Sequence, residues 1–368
     1  MSTFTSPSTD GKNGTANRTM NGTMNATTNG SRHGSRHGAR NATATQATRR
    51  PRLSGMTWLV WRQHRAAFWT MIAATVLGAA WMVYQRGQMM DFLSSYGFPA
   101  KKLDNAEKEI SPYIGAFNTV TTGLTAIPVM LGVLLGAPLL AGDLENGTAK
   151  LIAAQSVSRS RWLATKLALT GLVVTVTTVA LSAVFAWWWS PIKTQNVDID
   201  WTSREFFNTT GPAPVALSLL SVFGGVLIGV ILRRTLVAMV VTLGFTVAVQ
   251  AAWGYFKLSL GDIVTATTKP VSPGGIFTFP EVPRTAYVAD TSYVTGSGKL
   301  LDVSTCSDAP MDQGIELCMK KADIVGASID YIPISQMSDM QWFGASILFA
   351  LTAGIVAFLF FWGRKRLV

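Results

Sequence analysis

The chain has 368 residues, of which 48% are hydrophobic and only 14% are charged, well below the roughly 25% of a typical soluble domain. This composition excludes an ordinary soluble protein and favours a chain that lies largely in the lipid bilayer. The formal net charge of +11 does not indicate nucleic-acid binding, because residues 1–55 contribute +7 of it and the rest of the chain only +4.

Residues 1–55 form a basic, low-complexity segment rich in Asn, Thr, Gly and Ser, with a tandem GSRHGSRHG repeat from Gly30 to Gly38. Such a composition cannot bury a hydrophobic core, so we expect a disordered cytoplasmic tail. Met56 follows this tail directly and is an alternative start of translation that the sequence allows.

Six uncharged apolar segments follow, and each has the length of about 20 residues that a helix needs to cross roughly 30 Å of hydrocarbon. The six predicted transmembrane helices are Ala66–Tyr84, Asn118–Ala141, Leu167–Trp189, Ala213–Leu232, Thr235–Tyr255 and Trp342–Trp362. Arg233 and Arg234 separate the fourth from the fifth and predict a very tight hairpin. The predicted fold class is an all-α integral membrane protein.

The distribution of Lys and Arg predicts the orientation, because short cytoplasmic loops retain these residues. With both termini in the cytoplasm, fourteen Lys and Arg near the span ends are cytoplasmic, whereas the two short outer loops hold six. We therefore predict cytoplasmic N and C termini. Residues 56–255 then hold helices one to five, residues 256–341 are extracellular, and residues 342–368 hold the sixth helix and a basic cytoplasmic end.

The predicted extracellular segment contains both cysteines of the chain, Cys306 and Cys318. Outside the cell a disulfide between them would persist and would contribute about 3 kcal/mol through loop entropy. Two unpaired buried thiols are the alternative. Pro and Gly residues and runs such as Thr285–Val288 predict short strands and loops around the bridge.

The predicted spans contain no Asp, Glu, Lys, Arg or His, which disfavours an ion-coupled carrier, a charged-ring channel and a voltage sensor. The segment Gly296–Leu300 is similar to part of a phosphate-binding loop, but Leu300 occupies the position where that loop requires Ser or Thr. No spacing suits a metal, so we expect no catalytic or metal site in this chain. The GxxxG motifs at Gly132–Gly136 and Gly225–Gly229 allow close helix approach, and we favour internal packing over dimerisation.

The cytoplasmic loop at residues 142–166 combines acidic, small and basic residues. Gly147 permits a sharp turn, Thr148 can cap a short helix, and Ser158 can cap the helix that enters the third span. A short polar helix across the ends of two spans would suit contact with a cytoplasmic partner. An ordinary capped loop that only follows the positive-inside rule is the alternative.

This loop resembles that of the permease subunits of type-two ATP-binding-cassette (ABC) transporters, a predominantly exporter group. The pattern acidic-x-Glu-x-Gly-Thr occupies Asp143–Thr148, and a Gln-Ser-Val-Ser-Arg-x-Arg-Trp-Leu-x-x-Lys run occupies Gln155–Lys166. Met56–Arg65 is similar to the opening of actinobacterial members, and the resemblance extends to about Val368.

The resemblance implies a transport subunit that is not itself an enzyme and that is driven by a separate ATPase, which binds ATP and Mg²⁺. The implied ATPase-coupling residues are Asp143, Glu145, Gly147, Thr148, Arg159 and Arg161. The implied interfacial connecting helix before the first span contains Trp58, Trp61, Arg62 and Arg65. Six spans are half of the usual pathway, so a second permease copy or paralogue is also implied.

We therefore expect a permease subunit of an ABC exporter in a bacterial plasma membrane, with a hydrophobic or amphipathic substrate. Two alternatives belong to other classes. One is a membrane-anchored sensory or structural protein whose extracellular segment binds a ligand. The other is an ATP-independent channel or lipid scramblase.

Overall fold

The computed structural model describes residues 55–100, 107–147, 158–193, 200–273, 275–307, 309 and 313–366. The predicted tail, apart from Gly55, lies outside these ranges, as does the predicted short helix that begins at Thr148. In the described part of the chain, six helices are long and apolar enough to cross a membrane, which confirms the predicted number. They cover Thr57–Ser95, Tyr113–Glu145, Ser160–Trp189, Ala213–Leu232, Thr235–Leu260 and Ile334–Trp362.

The regular elements follow the chain from one spanning segment to the next. The helices are α1 (Met56–Ser95), α2 (Glu107–Leu131), α3 (Ala137–Glu145), α4 (Arg159–Trp189), α5 (Arg204–Phe207), α6 (Ala213–Leu232), α7 (Thr235–Phe256), α8 (Gln313–Lys321) and α9 (Met337–Arg366). A π-helical turn, Gly132–Gly136, joins α2 to α3 within one spanning segment. The strands are β1 (Val264–Thr267), β2 (Tyr287–Thr295), β3 (Leu300–Asp302) and β4 (Ile324–Ile332).

The first helix differs from its prediction. Instead of an interfacial helix followed by a span from Ala66, α1 is continuous over 40 residues and begins at Met56. The residues predicted as the interfacial connecting helix are thus the first turns of α1, and their position at the membrane interface stays a prediction. The physical reason is that no Gly or Pro lies between Met56 and Ala66 to interrupt the helical hydrogen bonds, so the segment with Trp58 and Arg65 simply continues the span.

Other helix ends also extend beyond the apolar runs. The last span was predicted to begin at Trp342, but α9 begins at Met337, and Gln341 is buried inside it. The fourth span, α6, has the predicted bounds, and only Arg233 and Arg234 separate it from α7, so the tight hairpin is confirmed. Arg233 adopts a left-handed conformation with φ 54°.

The core of the bundle is α6, because 72% of its most apolar stretch is buried, against 11–44% in the other five spans. Glycines bring its backbone against the second span. A Cβ on Gly229 would lie 2.4 Å from the carbonyl oxygen of Ala137, and one on Gly225 would lie 2.7 Å from that of Gly132. The two GxxxG motifs thus face each other, which confirms internal packing.

Between α7 and α9 the chain forms an antiparallel sheet with the strand order β1-β4-β2-β3 in its described residues. The long strands β2 and β4 pair in the centre, with a bulge between Val288 and Asp290. A disulfide joins Cys306 to Cys318 on α8, as predicted. We call this end of the bundle the sheet end and the opposite end, where α3 stops and α4 starts, the loop end.

At the sheet end, residues 200–212 fold into the bundle. Phe207 and Thr209 on this segment are at most 1% exposed. The Gln341 side-chain amide of α9 donates to the carbonyl of Phe207, at 2.8 Å, and the Trp253 indole of α7 donates to Asn208, at 2.7 Å. The segment is therefore buried between α7 and α9.

Candidate functional site

The candidate site lies at the loop end, where the structure describes both ends of the predicted coupling loop. Helix α3 ends at Glu145, and Gly147 follows in a left-handed conformation with φ 69°, which suits glycine and turns the chain sharply. Ser158 precedes α4, and its backbone carbonyl accepts from the backbone amides of Arg161 and Trp162, at 3.0 and 3.2 Å. Its side chain makes no capping hydrogen bond, so the predicted side-chain cap is not formed. Thr148 lies outside the described residues.

The two ends of the loop are joined by a buried ion pair. The Lys166 ammonium on α4 donates to the Asp143 carboxylate on α3, and also to the backbone carbonyl of Leu139 at 2.8 Å. Lys166 is fully buried and Asp143 is only 6% exposed. A pair that is shielded from water to this degree holds its two helices together, because the loss of either partner would leave the other charge buried without compensation.

A third helix joins this pair through Gln63 of α1. Its side-chain amide donates to the second carboxylate oxygen of Asp143, at 2.9 Å. Asp143 therefore uses one oxygen for α4 and the other for α1. We call Gln63, Asp143 and Lys166 the three-helix polar cluster.

An aromatic side chain lies against the Lys166 end of this cluster, while Gln63 at the other end is exposed. The Lys166 ammonium lies 5.3 Å from the ring centroid of Trp162, a cation–π distance, and the indole is 6% exposed. His64 stands one turn from Phe68 with ring centroids 6.0 Å apart, and its Nε2 atom is buried without a hydrogen-bond partner among the described residues. The surroundings are therefore largely apolar, which strengthens the attraction within the ion pair.

Glu145 makes a second connection at the loop end. Its carboxylate accepts from the backbone amide of Thr235, at 2.9 Å, and Thr235 is the first residue of α7. A carboxylate in this position caps an otherwise unsatisfied amide and complements the positive end of the helix dipole. The neighbouring Arg234 gives α7 no side-chain cap. Glu145 therefore links α3 to the hairpin between α6 and α7.

The remaining predicted residues lie around these connections. Arg161 is exposed in the first turn of α4, while the side chain of Arg159 lies outside the described part of the structure. On α1, the Arg62 guanidinium stacks over Trp58 at 5.1 Å, and Arg65 is exposed. Trp61 packs instead on Phe68, with ring centroids 5.4 Å apart.

The structure divides the predicted coupling residues into two groups. Asp143 points into the bundle and positions α1 and α4. Glu145 and Arg161 are exposed at the surface of the loop end. The sequence analysis missed the contribution of Gln63, and it treated Lys166 as one of the cytoplasmic charges and as the end of the run Gln155–Lys166, without a partner. One signal could have identified them: three apolar helices each carry a polar or charged residue at the same end of the bundle. These residues are Gln63, Asp143 and Lys166.

One family model matches the chain, that of ABC-2 membrane transporter related proteins, over residues 72–257. The match covers 186 of 368 residues: it begins within the first span, includes the second to fourth spans with the loop end, and ends in the last turn of the fifth span. Comparisons with curated proteins and with solved structures give no significant match. With its six apolar helices, the chain is a multi-pass membrane protein and belongs to the family of ABC-2 membrane transporter related proteins.

Proposed function

We propose that this chain is the membrane-spanning permease subunit of an ABC transporter and that a separate ATPase subunit, which binds ATP and Mg²⁺, docks at its loop end. The observation that carries this proposal is the three-helix polar cluster. It fixes both ends of the loop at residues 142–166 to one another and to α1, so a force on the loop would reach three helices together.

Glu145 extends this connection to the helices that follow. Because its carboxylate caps α7, movement of the end of α3 would also displace the hairpin at Arg233 and Arg234. The surface between Glu145 and Arg161 presents both signs of charge next to the loop. A cytoplasmic partner with complementary charges would bind there, and Thr148 and Arg159 complete the proposed contact.

The proposed orientation places the loop end in the cytoplasm and the sheet end outside. The excess of Lys and Arg near the loop-end segments, fourteen against six, supports it. The disulfide between Cys306 and Cys318 supports it as well, since disulfides persist in oxidising compartments. A bacterial plasma membrane is the proposed location, and the actinobacterial likeness of Met56–Arg65 stays a prediction.

The proposed activity is export of a hydrophobic or amphipathic substrate, with a second permease copy or paralogue completing the pathway. The support for this cargo is the apolar character of the spans. Among the described residues, the charged side chains in these helices lie outside the uncharged apolar runs, as Arg86, Asp143, Lys166 and Lys257 do.

The test is co-purification of the chain with the ATPase encoded by an adjacent gene, followed by ATP-driven transport in proteoliposomes. We expect Glu145→Arg to reduce both association and transport. Glu281→Arg, which changes an exposed carboxylate on the sheet-end segment in the same way, is the matched control and should retain both. Full association and transport with Glu145→Arg would overturn the coupling assignment.

A further inference from the structure

A cleft of about 410 Å³ opens in the side of the bundle between α1 and α2, with α4 as its floor. Small residues on one face of α1 make the space, including Ala67, Ala74 and Gly78. On the opposite wall, Met130 of α2 and Leu134 of the π-helical turn form a rim and are 55% and 58% exposed. The volume is within the usual range for sites of small ligands.

The lining of the cleft contains threonines but offers no free hydroxyl hydrogen among its described residues. Each of the four hydroxyls donates to a carbonyl of its own helix, at 2.7 to 2.9 Å. These threonines are Thr70, Thr75, Thr177 and Thr178. None of the described lining residues is charged. The walls therefore present methyl and methylene groups, and a cavity of this kind does not hold water well.

The length of the cleft and its position within the spans determine which ligands can enter it. Ala67 and Gly78 are eleven residues apart on α1, or about 17 Å along the helix, and the three walls all belong to spanning segments. The rim at Met130 and Leu134 therefore faces lipid. A ligand that passed this rim would come from the hydrocarbon and would carry an alkyl part.

The inner end of the cleft is polar. A small pocket of about 10 Å³ shares Leu124, Ile127, Thr178 and Leu181 with the cleft, and Ser218 of α6 also lines it. That volume is close to the minimum for one polar atom or water molecule.

Ser218 is the hydroxyl in this pocket that can receive a ligand. It is fully buried, and its Oγ atom has no hydrogen-bond partner among the described residues. The other two hydroxyls that the pocket adds are already used: Ser182 donates to Gly211 at 3.3 Å, and Thr209 donates to Phe206 at 3.0 Å. A buried unpaired hydroxyl is costly and is normally satisfied.

We propose that this cleft is a lateral binding site for an uncharged amphiphile whose alkyl part lies between α1 and α2 and whose single small polar group, a hydroxyl or carbonyl, bonds Ser218. The inference goes beyond the proposed function, because the site lies within one chain and binding there requires neither ATP nor a partner. A charged head group does not fit, since the pocket offers no charge to pair with it.

The test uses the full chain in lipid nanodiscs and a hexadecanol probe with a photoreactive diazirine in its alkyl chain. Mass spectrometry should locate labelling on residues 67–78 and 124–135, and unlabelled hexadecanol should compete. We expect Ala74→Phe, which fills the cleft, to reduce labelling about tenfold. Ala73→Phe is the matched control, because Ala73 is exposed on the same helix but does not line the cleft.

A second variant tests the polar end. Ser218→Ala should reduce labelling by the hexadecanol probe about two- to tenfold, the value of one hydrogen bond, and leave a hexadecane probe unchanged. Ala74→Leu should give an intermediate loss and covers the case in which the Phe variant does not fold. Equal labelling of Ala74→Leu and wild type, or an equal response of both probes to Ser218→Ala, would overturn the proposal.

Discussion

Lys166 and Asp143, 23 residues apart in sequence, meet in a buried ion pair that joins the two ends of the loop between α3 and α4. Gln63 donates to the other oxygen of the same carboxylate, so one side chain connects three helices. Asp143 is thus a positioning residue inside the bundle, and Glu145, two residues later, is the acidic group that a partner can reach.

Replacing one residue of the ion pair should destabilise the protein more than replacing both. We expect Asp143→Leu or Lys166→Leu alone to lower the free energy of unfolding by about 3–5 kcal/mol, because each leaves one uncompensated buried charge. The double variant should lose clearly less than either single variant. Thermal unfolding in detergent measures this, with Glu281→Gln as the exposed control. Additive losses in the double variant would contradict the pair.

Glu145 should act locally on α7. We expect Glu145→Ala to raise hydrogen exchange in the first turn of α7, because the amide of Thr235 loses its acceptor. Glu145→Gln keeps an acceptor oxygen without the charge and should change this exchange much less. If both variants exchange like the wild-type protein, the cap does not exist in solution. If the proposed docking depends on charge, both variants should weaken ATPase association.

The glycine contact between α6 and the second span should not tolerate a methyl group. Gly229→Ala would place a Cβ atom 2.4 Å from the backbone oxygen of Ala137, so the helices must move apart. We expect a loss of about 1–3 kcal/mol in the free energy of unfolding, as overpacking usually costs. Gly244→Ala on α7 is the control, since its added Cβ meets nothing within 4 Å. A comparable loss at Gly244 would refute the packing argument.

The disulfide allows a direct test of the proposed orientation. The chain has only two cysteines, so Cys306→Ser leaves Cys318 as a single free thiol. We expect a membrane-impermeant maleimide to label this variant in intact cells and to label the wild-type protein only after reduction. Labelling that requires permeabilised cells would place the sheet end inside. The double Cys→Ser variant should also lose about 3 kcal/mol of stability in the sheet.

The spans and the hairpin could be predicted because their signals are local. Uninterrupted apolar runs identify spans, and Arg233 with Arg234 interrupt the longest run at the observed turn. The bounds of α6 agree because a charge or a proline stands at each end. The starts of α1 and α9 could not be predicted from hydropathy, since charged or polar residues interrupt the apolar character of Met56–Arg65 and Met337–Gln341 although neither segment contains Gly or Pro.

The polar contacts could not be predicted, because they depend on which helices are neighbours. In the sequence, Lys166 does not differ from other basic residues near a span end. Only the fold shows that Asp143 and Gln63 lie beside it. The buried segment at residues 200–212 likewise has no hydrophobic period; it is buried because Phe207 and Asn208 fit between α7 and α9. The apolar cleft is also a product of packing, not of any motif.

The contact between the second span and α6 has a consequence for motion. Where Gly132 and Gly225 meet, the backbones of the two helices are in direct contact, with the methyl groups of Thr242 and Thr246 beside them. Backbones packed this closely cannot slide along each other without first separating. We therefore expect the second span and α6 to move as one unit when the molecule changes conformation, while the outer helices move relative to them.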